Sequence, residues 1–203
     1  MLDARLYFVS SNRPGGRELT DLLPRAIAGG VDIFQLRMKD AADEDVLRAG
    51  EVARQLCTDA GIPFVLNDRP DLAAALGADG VHLGQDDMPV AEARTQAPGL
   101  FIGRSTHSPD QIASAGDADY FAVGPVYLTP TKPGRPAVGL GLIRHAASTG
   151  TEIPWFAIGG IEEATVGPVV QAGARRIVAV RAIAEAPDPE RAAAQLRAQV
   201  DTA

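Results

Sequence analysis

The sequence predicts a single (β/α)8 barrel, the TIM-barrel class of α/β fold, spanning residues 1–203. Short apolar runs alternate with longer runs rich in Ala, Leu, Arg and Glu, and there are eight of each. One turn phrase recurs where a helical run hands over to an apolar one: Ala28-Gly29-Gly30-Val31-Asp32, Leu76-Gly77-Ala78-Asp79-Gly80-Val81, Ala115-Gly116-Asp117-Ala118-Asp119-Tyr120 and Ala172-Gly173-Ala174-Arg175-Arg176-Ile177. No linker or composition break divides the chain. Eight strand–helix units in one domain close into a barrel. An open doubly wound sheet is the competing architecture, but it wants a G-x-G-x-x-G turn after its first strand, and residues Ser10 to Gly16 contain none.

The apolar runs are Leu6–Val9, Ile33–Leu36, Phe64–Leu66, Gly80–Leu83, Leu100–Ile102, Tyr120–Val123, Trp155–Ile158 and Ile177–Val180. They are short and rich in Val, Ile and Phe, as parallel strands buried on both faces are. The helical runs are Glu18–Ala28, Ala42–Ala60, Asp71–Leu76, Val90–Gln96, Pro109–Ala115, Gly141–Ala147, Ala164–Ala172 and Pro189–Val200. Leu19, Leu22, Leu23, Ala26 and Ile27 form an apolar stripe at helical spacing in the first. Ser108-Pro109 and Asp188-Pro189 are capping pairs, with Pro at the first helical position. Glycines at 29–30, 61, 77, 116, 150 and 173 supply helix ends.

Composition narrows the function. The net charge is −7 with no basic run, which argues against a nucleic-acid partner. The single cysteine, Cys57, allows no intrachain disulfide and no cysteine metal site. No apolar run approaches the ~18 residues of a membrane helix, and the first residues do not read as a secretory signal. The expectation is a cytoplasmic enzyme acting on small molecules, with a homo-oligomer left open.

Catalytic groups of such barrels stand at the C-terminal ends of the strands. Those ends carry Gln35, Arg37 and Lys39; Asn67 and Asp68; Gln85, Asp86 and Asp87; Arg104, Ser105, Thr106 and His107; Thr129-Pro130-Thr131-Lys132; Gly159-Gly160; and Arg181. Gln35, Arg37 and Lys39 alternate along an extended segment and so share a side. A guanidinium and an ammonium together suit a polyphosphate; solvated rim charges are the plainer explanation. Asp68 and Asp87 follow neighbouring strands, which lie about 4.8 Å apart, so the two carboxylates are placed to share one Mg²⁺. Each is equally placed to cap the helix that follows it, and Asp86 is a rival ligand. Gly159-Gly160 opens a helix after strand seven, where backbone N–H groups accept a phosphate, with Val180-Arg181 as the other half of that site. The Pro-rich segment from Gly124 to Pro136 reads as a lid, or else as a surface loop. His82, His107 and His145 show no Ser, Cys or carboxylate partner in sequence, so a hydrolase triad has no support.

Taken together, Gln35–Lys39, Asn67-Asp68-Arg69, Ala78–Asp87, Ile102–His107, Gly124–Lys132 and Ala157–Ile161 resemble the thiamine-phosphate synthase family, in family order from Tyr7 to about Ile183. The resemblance implies a (β/α)8 barrel and a Mg²⁺-dependent transferase. It would join 4-amino-2-methyl-5-hydroxymethylpyrimidine diphosphate to a thiazole phosphate, releasing pyrophosphate. It implies that Gln35, Arg37, Lys39, Asn67, Ser105 and Lys132 hold the pyrimidine diphosphate, with Arg37, Lys39, Ser105 and Lys132 as the catalytic set. Asp68 and Asp87 would hold Mg²⁺, the pattern Gly-Gln-x-Asp selecting Asp87 over Asp86. Thr129, Thr131, Gly160, Val180 and Arg181 would hold the thiazole phosphate. The family often has Ser where Arg181 stands, so either the backbone there makes the contact or Arg181 substitutes its own charge. A thiazole tautomerase shares a stretch similar to Ile102–Ser108 but has no need of the Mg²⁺ carboxylates. The same barrel would also suit a noncatalytic ligand-binding protein or a phosphosugar isomerase or epimerase. Arg37, Lys39, Arg104, Lys132 and Arg181 all fall on one expected face, so the local field there opposes the sign of the whole chain.

Overall fold

A computed structural model of the chain describes residues 3–129 and 136–202. Eight parallel strands close in sequence order: β1 (Leu6–Ser10), β2 (Ile33–Leu36), β3 (Phe64–Asn67), β4 (Gly80–Leu83), β5 (Phe101–Thr106), β6 (Tyr120–Val123), β7 (Trp155–Ile158) and β8 (Ile177–Ala179). The ring closes where β1 pairs with β8, Tyr7 opposite Val178. The outer helices are α1 (Leu19–Ala28), α2 (Asp43–Ala60), α3 (Pro70–Leu76), α4 (Val90–Gln96), α5 (Pro109–Ala113), α6 (Gly139–Ser148), α7 (Val166–Gln171), α8 (Arg181–Ala184) and α9 (Pro189–Asp201). The described residues contain no helix long and apolar enough to cross a membrane.

The recurring turn phrase has a physical cause. Its aspartate reaches back to the start of the preceding odd-numbered strand. Asp32 accepts the N–H groups of Arg5 and Leu6 at 2.7 and 2.9 Å, Asp79 that of Phe64 at 2.8 Å, and Asp119 that of Ile102 at 2.7 Å. These bonds satisfy backbone donors at the barrel's N-terminal rim, which the ladder leaves unpaired. The fourth copy has Arg where the others have Asp.

Strand alternation sorts the core into two parts. Leu6, Phe8, Phe34, Leu36, Phe64, Leu66, Val81 and Leu83 face the helices. Tyr7, Val9, Ile33, Val65, Tyr120, Phe156 and Val178 fill the barrel interior. The interior glycines make room for rings: a Cβ on Gly103 would lie 2.0 Å from the Tyr120 ring, and one on Gly80 would lie 2.3 Å from that of Phe101.

Three elements differ from the sequence expectation. The fifth strand runs on through Arg104, Ser105 and Thr106, because its alternating small inward residues, Gly103 and Ser105, keep pairing with β6. A 3-10 turn, Pro14–Gly16, and the short α8 are additional; both are too brief to show a helical apolar stripe. The two expected caps are present: Ser108 accepts from the Gln111 N–H and Asp188 from that of Arg191.

Candidate active site

Two cavities open side by side at the C-terminal end of the barrel and share Ser105 and His107 as their common wall. The first, about 700 Å³, is walled by the ends of β1 to β5, including Arg37, Lys39, Asn67, Asp68, Gln85 and Asp87. The second, about 390 Å³, lies over β6 to β8, between Tyr127, Leu128 and Thr129 on one side and Gly159, Gly160, Val180 and Arg181 on the other. One lobe is rich in charge. The other is lined more by apolar groups and glycine backbone, with Arg181, Glu162 and Glu185 among its lining.

The carboxylate pair is the chemical centre of the first lobe. Asp68 follows β3 in a left-handed conformation, φ 65°, and its N–H bonds to the His82 carbonyl at 2.9 Å. Asp68 and Asp40 are the two non-glycine residues with positive φ among the described residues, and both line this lobe. Aspartate tolerates this region better than most residues, and such conformations gather at functional sites. Neither carboxylate caps a helix. Arg69 and Pro89 occupy the caps of α3 and α4, and Asp87 instead accepts the Gly84 N–H at 2.6 Å. That bond turns Asp87 across to Asp68. Burial, then the hydrogen bond and the charge of Asp87, raise the Asp68 carboxyl to about 6, against the pull of Lys39 and Arg37. Asp86 lines the same lobe, but Asp68's bonded partner is Asp87.

Two carboxylates forced together without a proton repel, and a divalent cation relieves that repulsion. The described residues hold no cluster of three or more His, Cys, Asp or Glu side chains able to bind a metal. A donor set of two carboxylates suits Mg²⁺, which keeps waters and takes phosphate oxygens in its remaining positions. The residues therefore fit the ion.

The raised acid has a consequence for stability. In metal-free protein Asp68 holds its proton more tightly folded than unfolded. Its contribution is fully present below pH 4 and is lost as pH rises through about 6. Asp68→Asn removes that loss. In EDTA the variant is expected to melt ~2–4 °C above the parent at pH 8, corresponding to ~1 kcal/mol after solvent screening, with the gap closing by pH 4. An equal shift at both pH values would contradict the assignment.

Arg37 and Lys39 line the first lobe. Gln35, on the same side of the chain, lies one layer lower: it is 3% exposed and donates to the Tyr7 hydroxyl at 2.6 Å. Arg104 does not join the cationic face. Strand alternation turns it outward, where it bonds the Met88 and Gln85 carbonyls at 3.4 and 3.5 Å. Asn67, Ser105, Thr129, Gly160, Val180 and Arg181 all line one lobe or the other. Arg181 forms an ion pair with Glu185 at 3.7 Å. Thr131 and Lys132 lie outside the described residues, as does the middle of the expected lid, residues 130–135.

Further residues join the site that their sequence context does not single out. Ser11 and Asn12 line the first lobe from the end of β1, a strand end to which the same rule applies. His82 has a serine partner, which corrects the sequence expectation. Its Nε2 lies 3.0 Å from Ser105 Oγ, its Nδ1 lies 2.9 Å from the Tyr120 hydroxyl, and that hydroxyl lies 3.0 Å from that of Tyr7. This pairing crosses strands, so no spacing in the sequence announces it. His107 bonds the Gly124 carbonyl and stands on the wall between the lobes.

Comparison with known proteins identifies relatives of the whole chain. A family model described as thiamine monophosphate synthase matches residues 6–183. The chain is 56% identical over 197 residues to a thiamine-phosphate synthase of Thermus thermophilus, covering 95% of both chains. It is 50% identical over 216 residues to one of Mycobacterium bovis, covering 100% of this chain and 97% of the relative. A solved thiamine phosphate pyrophosphorylase from Pyrococcus furiosus superposes with a TM-score of 0.88 at 32% identity, covering 98% and 96% of the two chains. A 3-hexulose-6-phosphate synthase, at 21% identity and TM-score 0.67, shares the barrel fold. The chain belongs to the thiamine monophosphate synthase family of transferases.

Proposed function

We propose that this barrel is a cytoplasmic enzyme that transfers the hydroxymethylpyrimidine group from its diphosphate to the ring nitrogen of a thiazole phosphate, giving thiamine phosphate and pyrophosphate in a Mg²⁺-dependent reaction. The observation that carries the reading is the division of the cleft into two lobes. The lobe with the carboxylate pair and Arg37 and Lys39 suits a diphosphate. The lobe with Gly160, Val180 and Arg181 suits a ring carrying one phosphate.

Asp68 and Asp87 would hold Mg²⁺, which would supply positive charge to a departing diphosphate. Arg37, Lys39 and Lys132 add fixed cations, and Asn67 and Ser105 add neutral donors. The pyrimidine's exocyclic amine feeds electrons into the ring as the C–O bond to the diphosphate breaks, so the methylene carries cationic character. The thiazole nitrogen then supplies the electron pair of the new C–N bond. No proton leaves carbon in this sequence, so no general base is required. His82, bonded between a tyrosine and a serine hydroxyl, is placed to orient Ser105. Thr129 and the glycine turn hold the thiazole phosphate beside the shared wall at Ser105 and His107, and the family resemblance adds the Thr131 hydroxyl. The cationic methylene needs water kept away from it, and seating both substrates in adjoining lobes serves that need.

The test is a two-substrate assay. Pyrophosphate release is expected only with both substrates and Mg²⁺, and EDTA is expected to abolish it. Thiamine phosphate formed equally well in EDTA would refute the Mg²⁺ assignment. Turnover of a thiazole tautomer with no diphosphate present would instead favour the tautomerase.

A further inference from the structure

The interior of the barrel holds a continuous chain of polar side chains: Gln35, Tyr7, Tyr120, His82 and Ser105. It begins one layer beneath the cavity and ends at its wall. All five are buried, with exposures of 3, 1, 0, 8 and 6%. Polar groups are costly in such a place, and a core packed for stability alone would not thread five of them across five strands.

The links have a direction. The Gln35 amide nitrogen can only donate, so the Tyr7 oxygen accepts and its own hydrogen passes on to Tyr120. Tyr120 accepts that hydrogen and gives its own to His82 Nδ1. Burial pushes the ionisation of both phenols to higher pH, so each retains its hydrogen. An Nδ1 that accepts leaves the ring hydrogen on Nε2, which donates to Ser105 Oγ.

We propose that this chain is a one-way hydrogen-bond relay that holds His82 as its Nε2–H tautomer and turns the Ser105 hydroxyl hydrogen into the cavity. Ser105 is thereby a donor to an anionic ligand and not a nucleophile, and Gln35, Tyr7, Tyr120 and His82 are positioning residues. The opposite polarity would bind the Ser105 hydrogen to His82 and aim oxygen lone pairs at the anion. That the anion is the leaving diphosphate rests on the function proposed above; the tautomer does not.

The experiment is nitrogen-15 NMR of the free protein with labelled histidine. The chain has three histidines, and a His82→Gln sample assigns the signal. The expected result is Nε2–H for His82. An Nδ1–H tautomer overturns the relay, whether or not the enzyme makes thiamine phosphate. In Tyr120→Phe, the pure tautomer is expected to give way to a mixture. Its kcat is expected to fall about tenfold, as when an orienting partner of a binding group is lost, with KM for the pyrimidine diphosphate within about threefold. If Tyr120→Phe does not fold by circular dichroism, Gln35→Leu gives the same readout, because losing the terminal donor leaves both polarities open. A pure Nε2–H signal with unchanged kcat in the variant that folds overturns the proposal.

Discussion

Asp87→Ala is expected to lower kcat by about 10²–10³-fold while leaving the circular dichroism spectrum and the melting temperature close to those of the parent. The activity loss follows from what the carboxylate does. It accepts the Gly84 N–H, crosses to Asp68 and completes a two-carboxylate site. On the function proposed above, one carboxylate alone would hold Mg²⁺ poorly and the departing diphosphate would lack its counterion; a single lost stabiliser of developing charge costs a factor of this order. The fold survives because Asp87 stands in the loop after β4, outside both apolar cores. The checks are steady-state kinetics across a Mg²⁺ titration. Activity of Asp87→Ala is expected to climb only at Mg²⁺ well above the level that saturates the parent. Parental activity at the parental Mg²⁺ requirement would remove Asp87 from the site.

Gly159→Ala is expected to destabilise the protein by ~3 kcal/mol. The main-chain φ there is 106°, a region closed to residues with a Cβ. The added Cβ would sit 2.4 Å from the Pro125 Cα, where backbone and not a movable side chain must yield. For a chain of this size the loss reads as a fall of ~6–12 °C in Tm. The same turn carries the second lobe: the Val126 and Tyr127 N–H groups bond the Ile158 and Gly159 carbonyls at 2.8 and 3.0 Å. Displacing it moves Tyr127 and Gly160, so KM for the thiazole phosphate is expected to rise in whatever fraction folds, while KM for the pyrimidine diphosphate changes little. A variant melting with the parent would show that the turn is not under this constraint.

Much of the barrel is legible in the chain because its signals are local. Apolar runs bounded by Gly and Pro mark strands wherever they occur, and seven of the eight expected runs match the observed strands to within a residue at either end. The fifth reads short because its inward residues are Gly103 and Ser105. Small and polar residues look like a loop until the neighbouring Tyr120 ring is seen filling the space. The site residues are legible to the extent that strand ends announce themselves. Arg37, Lys39, Asn67, Asp68, Asp87 and Ser105 do line one cavity. Arg104, one residue from Ser105, does not, because alternation along an extended strand sends neighbours to opposite faces.

The order of strands and helices, the family and the end of the barrel where the candidate site residues gather can all be read from the chain alone. Each depends on residue type and short-range spacing, which a chain displays whether folded or not. What the aspartates do depends on the pairing of β3 with β4, and what the buried histidine touches depends on closure of the barrel. Asp68 and Asp87 are also placed as helix caps until that pairing brings their loops side by side. His82, Tyr120, Tyr7 and Gln35 are separated by up to 113 residues along a single link. Their contact exists because the interior of a closed barrel is narrow enough for side chains from opposite strands to meet. The repeated Asp of the turn phrase shows the same division. Its recurrence is visible in the chain, while its role, holding the first N–H groups of the preceding strand, exists only once the strands stand beside each other.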